Sequence, residues 1–200
     1  MTFLNEDFDA SKFDSRLRWF NEPGRWSVDT AFSVLVVEPQ AGTDFWRKTH
    51  YGFEADTGHL LSATVSGDFV MTSKVKFLPA HQYDQAGLMA RADEGCWIKT
   101  SVEYEEDEPP KLGVVVTNGG YSDWSVQNFD PARNELWLRI SRKSSDFLVE
   151  HSQNGQTWEL LRIAHLQIQE PASMDCGLYA CSPKGVGFRA EFDLLRIERL

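Results

Sequence analysis

The sequence predicts an all-β domain, a sandwich or barrel of short antiparallel strands. Segments in which apolar and polar residues alternate recur along the chain, with turn signals between them. No segment keeps a helical period, apart from a turn or two near 9–17. With 200 residues, of which 42% are hydrophobic, the chain is predicted to be a single β-sandwich domain over 1–200, with residues 1–15 peripheral.

The clearest strand signals lie in the middle of the chain. Apolar residues alternate with polar ones over 69–77 and again over 136–141, which indicates half-buried strands. Two further strand-like segments, 147–150 and 157–163, flank the sequence Ser-Gln-Asn-Gly at 152–155, which is typical of a hairpin.

Three other segments complete the strand pattern. The strand predicted at 114–117 leads into an Asn-Gly-Gly turn at 118–120. The apolar run 32–37 is interpreted as a strand covered on both faces, and 188–199 as the last strand. The residues expected on one face of that last strand are Phe188, Ala190, Phe192 and Leu194.

The most informative segment is 85–103, which reads as two strands joined by a tight turn and has two chemically different faces. The face predicted to be buried consists of Ala86, Leu88, Ala90, Ile98, Thr100 and Val102. The other face consists of Gln85, Gly87, Met89, Arg91, Trp97, Lys99, Ser101 and Glu103.

This second face predicts a ligand site. Trp97, Lys99 and Glu103 stand on one side of a strand, where successive side chains are about 7 Å apart. An indole can stack on a sugar ring while charged groups bond its hydroxyls. Gln85, Met89 and Arg91 are expected beside them, and Trp137 with Arg139 repeats the aromatic-plus-cation pattern. The alternative is a solvated sheet face whose ion pairs contribute little.

Two further segments supply candidates for the edge of such a site. Trp46, His50 and Tyr51 are interpreted as a rim, although Phe45 or Trp46 could fill the core and a lone His is often structural. Trp124 follows the Gly-rich turn, so it either packs over the sandwich edge or closes one end of a groove.

Composition excludes several classes of function. The net charge of −10 disfavours nucleic acid and anionic membranes, and no segment is long and apolar enough for a membrane span. The N-terminus lacks a secretory pattern, and the three cysteines are predicted to be free and mostly buried, so a cytoplasmic setting is expected. The five scattered histidines form no metal motif, and neither a metal nor a cofactor is predicted.

Four motifs together resemble the DUF1349 family, from about position 20 to the end of the chain. The motifs are TDFWRKTHYGF at 43–53, QAGLMARADEGCWIKTSVEYE at 85–105, VVVTNGGYSDWS at 114–125 and GLYACSPKGVGFRAEFD at 177–193. The resemblance implies a concanavalin A-like jelly-roll sandwich of two curved antiparallel sheets. In that superfamily the concave sheet carries a sugar-binding or catalytic groove, but the family itself implies no particular reaction.

The expected function is therefore binding rather than catalysis. Glucanases of this fold carry a Glu-x-Asp-x-x-Glu strand, which this chain lacks. The leading hypothesis is a non-catalytic domain that binds a carbohydrate or similar polyhydroxy ligand, with Trp97 and Trp137 stacking and a regulatory role left open. The alternatives are a protein-interaction module without sugar binding, and a hydrolase or lyase with an unconventional carboxylate pair that includes Glu103.

Overall fold

A computed structural model of the chain describes residues 1–168 and 172–200. Within these ranges the chain forms β-strands and turns and no helix, so the all-β prediction is confirmed. In chain order the strands are β1 (Thr2–Glu6), β2 (Arg18–Phe20), β3 (Trp26–Asp29), β4 (Val34–Val37), β5 (Phe45–Arg47), β6 (Glu54–Asp56), β7 (His59–Ser66), β8 (Phe69–Leu78), β9 (Gln85–Asp93), β10 (Cys96–Glu103), β11 (Lys111–Asn118), β12 (Tyr121–Asn128), β13 (Glu135–Lys143), β14 (Asp146–Ser152), β15 (Glu159–His165), β16 (Ser173–Cys181), β17 (Arg189–Phe192) and β18 (Leu195–Arg199).

Two large antiparallel sheets form the sandwich. One has seven strands in the order β12-β11-β10-β9-β16-β7-β2. The other has nine: β15-β14-β13-β8-β17-β4-β3, with β18 also pairing with β8 and β1 pairing with β18. A separate two-stranded hairpin, β5–β6, belongs to neither sheet. This architecture is the jelly-roll sandwich of two curved antiparallel sheets that the motifs implied.

The main core lies between the facing sides of the two sheets, as the alternation predicts. Leu88 and Ile98 from the seven-stranded sheet share one buried cluster with Met71, Leu138 and Phe192 from the nine-stranded sheet. The predicted inner face of 85–103 is buried throughout, so the phase of these strands is confirmed. The other face of 85–103, which carries Gln85, Lys99 and Glu103, points away from the core and is called the groove face below.

The predicted turns are also confirmed. Asn118 and Tyr121 pair across the Gly-Gly turn that joins β11 to β12. In the turn between β14 and β15, the Ser152 hydroxyl accepts a hydrogen bond from Gly155 N at 3.0 Å, and Asn154 Oδ1 accepts one from Gln156 N at 2.9 Å. Side-chain oxygens therefore replace ladder bonds where the chain reverses.

Three local expectations differ from the structure. Residues 9–17 form bends and turns rather than a helix, and β1, which the pattern did not reveal, pairs with β18. In the apolar run 32–37 only Val34–Val37 is a strand. Its buried residues confirm cover on both faces, but Phe32 is 78% exposed because it lies in the turn that begins at Asp29.

The predicted last strand is divided into two. β17 and β18 pair with successive parts of β8, and the ladder is interrupted at Asp193 and Leu194. There Ser73 Oγ donates to Leu194 O at 2.6 Å. The interruption shifts the alternation by one residue, so Leu195 is buried in the place expected for Leu194.

In the described ranges, no helix long and apolar enough to cross a membrane is found.

Candidate functional site

The β5–β6 hairpin covers part of the groove face. Phe45, at the start of the hairpin, is fully buried and packs against Trp97 of β10 and Tyr179 of β16, with ring centroids 6.3 and 6.2 Å apart. Arg91 of β9 holds β6, the second strand of the hairpin, through a 2.7 Å ion pair with Asp56. The hairpin is thus held across three strands of the sheet.

This cover changes the role of three predicted site residues. Trp97 and Met89 face away from the main core, as expected, but both are 0% exposed because the hairpin lies over them. Trp97 therefore supports the hairpin and has no free ring face for stacking. Arg91 is also committed, since its guanidinium pairs with Asp56 and lies 4.5 Å from the Phe20 ring.

Beside the hairpin the groove face remains open as a cavity of about 270 Å³, called the inner pocket. Its lining residues are Asp44, Trp46, Tyr51, Phe53, Tyr83, Gln85, Lys99, Glu103, Val115, Trp124 and Lys184. The structure thus brings together six residues that were predicted for the site or its rim: Gln85, Lys99, Glu103, Trp46, Tyr51 and Trp124.

A hydrogen-bonded chain of polar side chains forms one wall of the inner pocket. Lys99 Nζ donates to Gln85 Oε1 at 2.7 Å, and Gln85 Nε2 donates to Glu103 Oε2 at 2.9 Å. The Tyr179 hydroxyl also donates to Gln85 Oε1, at 3.2 Å. Lys99 forms a longer ion pair with Asp44, at 3.6 Å. Lys99 and Gln85 are each only 3% exposed, so their positions are fixed by packing as well as by hydrogen bonds.

Glu103 is the chemically unusual member of this hydrogen-bonded series of side chains. Burial raises the pKa of its carboxyl to about 8; Lys99 opposes the shift, while Asp44 and Glu105 add to it. Glu103 is consequently protonated in most molecules at neutral pH, and in that form it can donate a hydrogen bond as well as accept one. A carboxyl group and a buried ammonium then face the same small cavity.

The raised pKa predicts a pH-dependent stability. Between about pH 4.5 and pH 8 the folded state keeps a proton on Glu103 that the unfolded chain has released, so stability falls as pH rises through this window. Relative to wild type, Glu103→Gln should gain up to ~1.4 kcal/mol of unfolding free energy per pH unit across it, less where solvent reaches the half-buried carboxyl. Urea unfolding of both proteins at about pH 5 and pH 8 measures this. A difference between them that is the same at both values would contradict the shift.

A second cavity, called the outer groove, adjoins the inner pocket. It has a volume of about 800 Å³ and lies between the tip of the β5–β6 hairpin and strands β12 and β15. Its lining residues are Trp46, Thr49, His50, Tyr51, Val116, Asn118, Tyr121, Ser122, Asp123, Trp124, Arg162, Ile163, Ala164 and His165. Trp46, Tyr51 and Trp124 line both cavities, and His50 lines the outer groove. Trp46 is only 8% exposed and belongs to the buried cluster that includes Phe45 and Trp97, so it also fills the core beneath the hairpin.

Trp137 and Arg139 are not brought to this site. They lie on β13 in the nine-stranded sheet, on the face that points away from the core and hence on the opposite side of the sandwich. Arg139 pairs with Glu150 at 2.7 Å and lies 4.0 Å from the Trp158 ring, while Trp137 packs against Gly155. Both residues contact the β14–β15 turn. Their placement matches the alternative interpretation, a solvated sheet face rather than a ligand site.

Five residues that line the inner pocket were not candidates from the sequence: Asp44, Phe53, Tyr83, Val115 and Lys184. Asp44 directly precedes β5 and Phe53 directly precedes β6, whereas Val115 lies in β11. Tyr83 and Lys184 lie in loops next to β9 and β16. The available signal was the 43–53 motif, which contains both Asp44 and Phe53 beside the aromatics that were selected. The 177–193 motif likewise contains Lys184, but nothing in the sequence pointed to Tyr83, because a loop residue carries no strand phase.

Other reactive groups lie outside the site or are inert. Cys96, Cys176 and Cys181 are free and buried, as predicted, and burial raises the pKa of each thiol. In the part of the chain that the structure describes, no cluster of three or more His, Cys, Asp and Glu side chains could hold a metal ion.

Comparison with known proteins places the chain among relatives with the same fold. It is 33% identical over 174 residues to regulation of enolase protein 1 of Saccharomyces cerevisiae, which covers 87% of this chain and 85% of that protein. A solved structure of a functionally unknown protein from Saccharomyces cerevisiae superposes with a TM-score of 0.85 at 30% identity, covering 93% of this chain and 97% of that one.

The fold also recurs within a larger enzyme. A xylan β-1,4-xylosidase from Bacillus halodurans superposes with a TM-score of 0.75 at 15% identity, and the match covers 97% of this chain but only 38% of the enzyme. At that identity the likeness shows a shared fold. The model of the DUF1349 family, described as a protein of unknown function, matches residues 19–200, and the chain therefore belongs to that family.

Proposed function

We propose that the inner pocket binds a neutral polyhydroxy ligand, a single sugar residue or its equivalent, without transforming it. The observation that carries this proposal is the convergence of Lys99, Glu103 and Asp44 on one small cavity with aromatic walls. This proposal replaces stacking on Trp97 and Trp137 with stacking on the aromatic residues that actually line the pocket.

Spare hydrogen-bonding capacity supports a polar ligand. An ammonium group has three N–H donors, and Lys99 uses one at hydrogen-bond distance, on Gln85. Its ion pair with Asp44, at 3.6 Å, is too long for a hydrogen bond. Within residues 1–168 and 172–200, Glu103 Oε1 receives no hydrogen bond. Hydroxyl groups, which both donate and accept, match such a mixed set of groups.

The electrostatics of the pocket favour a ligand without charge. The charge of Lys99 is balanced by Asp44, and the protonated Glu103 adds no negative charge at neutral pH. Lys184 is exposed at the entrance, where it lies 5.4 Å from the Tyr83 ring and is screened by solvent. A sugar hydroxyl can therefore replace water in the pocket without leaving an ion unpaired.

The size and walls of the pocket favour a ring. Its volume of about 270 Å³ is slightly below the ~300–1,000 Å³ that is usual for drug-sized ligands. Half-buried Trp124 and the exposed Tyr51 and Phe53 offer apolar surfaces to the C–H face of a sugar. The name of the structural relative, a xylan β-1,4-xylosidase, suggests pentoses as first ligands to test.

Calorimetric titration with xylose and glucose tests the proposal. Lys99→Met removes a charge-assisted donor and should weaken binding about 10- to 100-fold. Trp124→Ala removes a wall and should weaken it about 10-fold. Trp137→Ala is the matched control, the same substitution on the opposite sheet, and should leave binding unchanged. Binding that survives both pocket variants, once thermal unfolding shows that they are folded, would place the ligand elsewhere.

Hydrolysis is a second candidate, favoured by one observation. Asp44 and Glu103 line the same cavity, and a protonated Glu103 has the form that a general acid requires. Release of reducing sugar from xylotriose by wild type but not by Glu103→Gln would support catalysis over simple binding.

A further inference from the structure

We infer that the outer groove binds the following residues of an oligosaccharide whose terminal residue occupies the inner pocket. This inference rests on the proposed function and extends it from a single sugar to the end of a chain. It assigns a role to the larger cavity, which the binding of one ring leaves unused.

Continuity between the two cavities is the first support. The hairpin carries an unbroken series of aromatic side chains from the inner pocket to the outer groove. Phe53 lies 6.2 Å from Tyr51, and Tyr51 lies 4.8 Å from His50 and 5.4 Å from Trp46, measured between ring centroids. A sugar chain presents an apolar ring face at each residue, so a continuous aromatic wall suits a chain better than an isolated ring.

The two cavities differ in closure, which sets the direction of the chain. The inner pocket is closed at the sheet by Lys99 and Gln85, both packed and almost fully buried, so a bound chain cannot continue through the sheet. The outer groove, of about 800 Å³, is lined by exposed residues, among them Tyr121 at 61% and Ile163 at 69%. The end of a sugar chain therefore lies against the sheet in the inner pocket, and the following residues extend along the outer groove.

Polar groups in the outer groove are held in place before any ligand binds. Arg162 donates to Ser125 Oγ and to Asp123 Oδ1, each at 2.8 Å, so its guanidinium group has a fixed position. Lys48 lies 5.4 Å from the Tyr121 ring and steadies that side chain through a cation–π contact. Because Arg162 is paired with a carboxylate, the groove suits neutral hydroxyls rather than an anionic polymer.

The experiment compares ligands of two lengths by calorimetry: xylose with xylotriose, and glucose with cellotriose. In wild type one trisaccharide should bind at least ten times more tightly than its monosaccharide, and the monosaccharide should compete for the same site. Tyr121→Ala should reduce trisaccharide affinity about five- to ten-fold and leave monosaccharide affinity unchanged, whereas Lys99→Met should weaken both. Phe32→Ala, which removes an exposed aromatic side chain that lines neither cavity, is the control and should change neither affinity.

The outcomes separate this inference from the proposed function. Equal affinities for both lengths, or a Tyr121→Ala protein that binds trisaccharide like wild type, would overturn the outer groove as a sugar site and leave the inner pocket standing. If wild type binds none of the four sugars, the proposed function fails and the two-part site fails with it. That result would favour a protein partner on the exposed aromatic wall.

Discussion

Gly177→Ala is expected to destabilise the fold by about 3 kcal/mol or more. Gly177 lies in β16 between β7 and β9, where it pairs with Ser62 and Met89. A Cβ at this position would lie 1.9 Å from Leu61 O and 2.7 Å from Ser62 Cα. These are backbone atoms of a paired strand, so no side-chain rotation relieves the contact, and the ladder itself has to move.

Urea unfolding with fluorescence detection measures this effect. Gly95→Ala is the matched control, because its Cβ would lie 3.4 Å from the nearest atom, Gly120 N, which is an ordinary contact. That control should unfold within about 0.5 kcal/mol of wild type. A Gly177→Ala protein with the same midpoint as the control would show that β7 and β16 are further apart than the structure has them.

Phe45→Ala should have a comparable effect, about 3–5 kcal/mol, because it empties a fully buried site. The ring contacts Trp97, Tyr179 and Phe20, so its loss leaves a cavity between the hairpin and the sheet. The same change should weaken sugar binding, since the hairpin carries one wall of the inner pocket. Trp97 would gain access to water, which shifts its fluorescence emission to longer wavelength.

Phe53→Ala is the control for Phe45→Ala. It distinguishes the loss of a buried packing contact from the loss of any aromatic side chain on the hairpin. Phe53 belongs to the same hairpin segment but is 45% exposed, so its removal should cost less than about 1 kcal/mol. If the two variants unfold at the same urea concentration, the hairpin is not packed on the sheet through Phe45. Unchanged emission in Phe45→Ala would likewise contradict the burial of Trp97 beneath it.

Strand phase was predictable from the sequence because the two-residue alternation of side chains does not depend on the order of the strands in a sheet. The groove face of 85–103 was assigned correctly, including the inward aliphatic set and the outward Lys99 and Glu103. Exposure of that face was not predictable. Whether Trp97 meets water depends on Phe45, which is far away in sequence and belongs to a hairpin outside both sheets.

The sheet that each strand joins was the second property that the sequence did not predict. Trp137 and Arg139 repeat the spacing of Trp97 and Lys99, yet the order of the strands places them on opposite sides of the sandwich. Alternation tells which residues share a strand face but not which sheet the strand joins. The candidate site was recovered where its residues lie on paired strands, and lost where a loop or a distant strand supplies them.

The docked hairpin also makes the site depend on long-range contacts. Phe45 packs on side chains of β10 and β16, and Asp56 pairs with Arg91 of β9, so these contacts require three strands in their native order. The main core cluster contains no residue of 45–56, whereas both cavities take part of their lining from this segment. A change that loosens the hairpin alone should therefore remove both cavities and leave the packing between the two sheets in place.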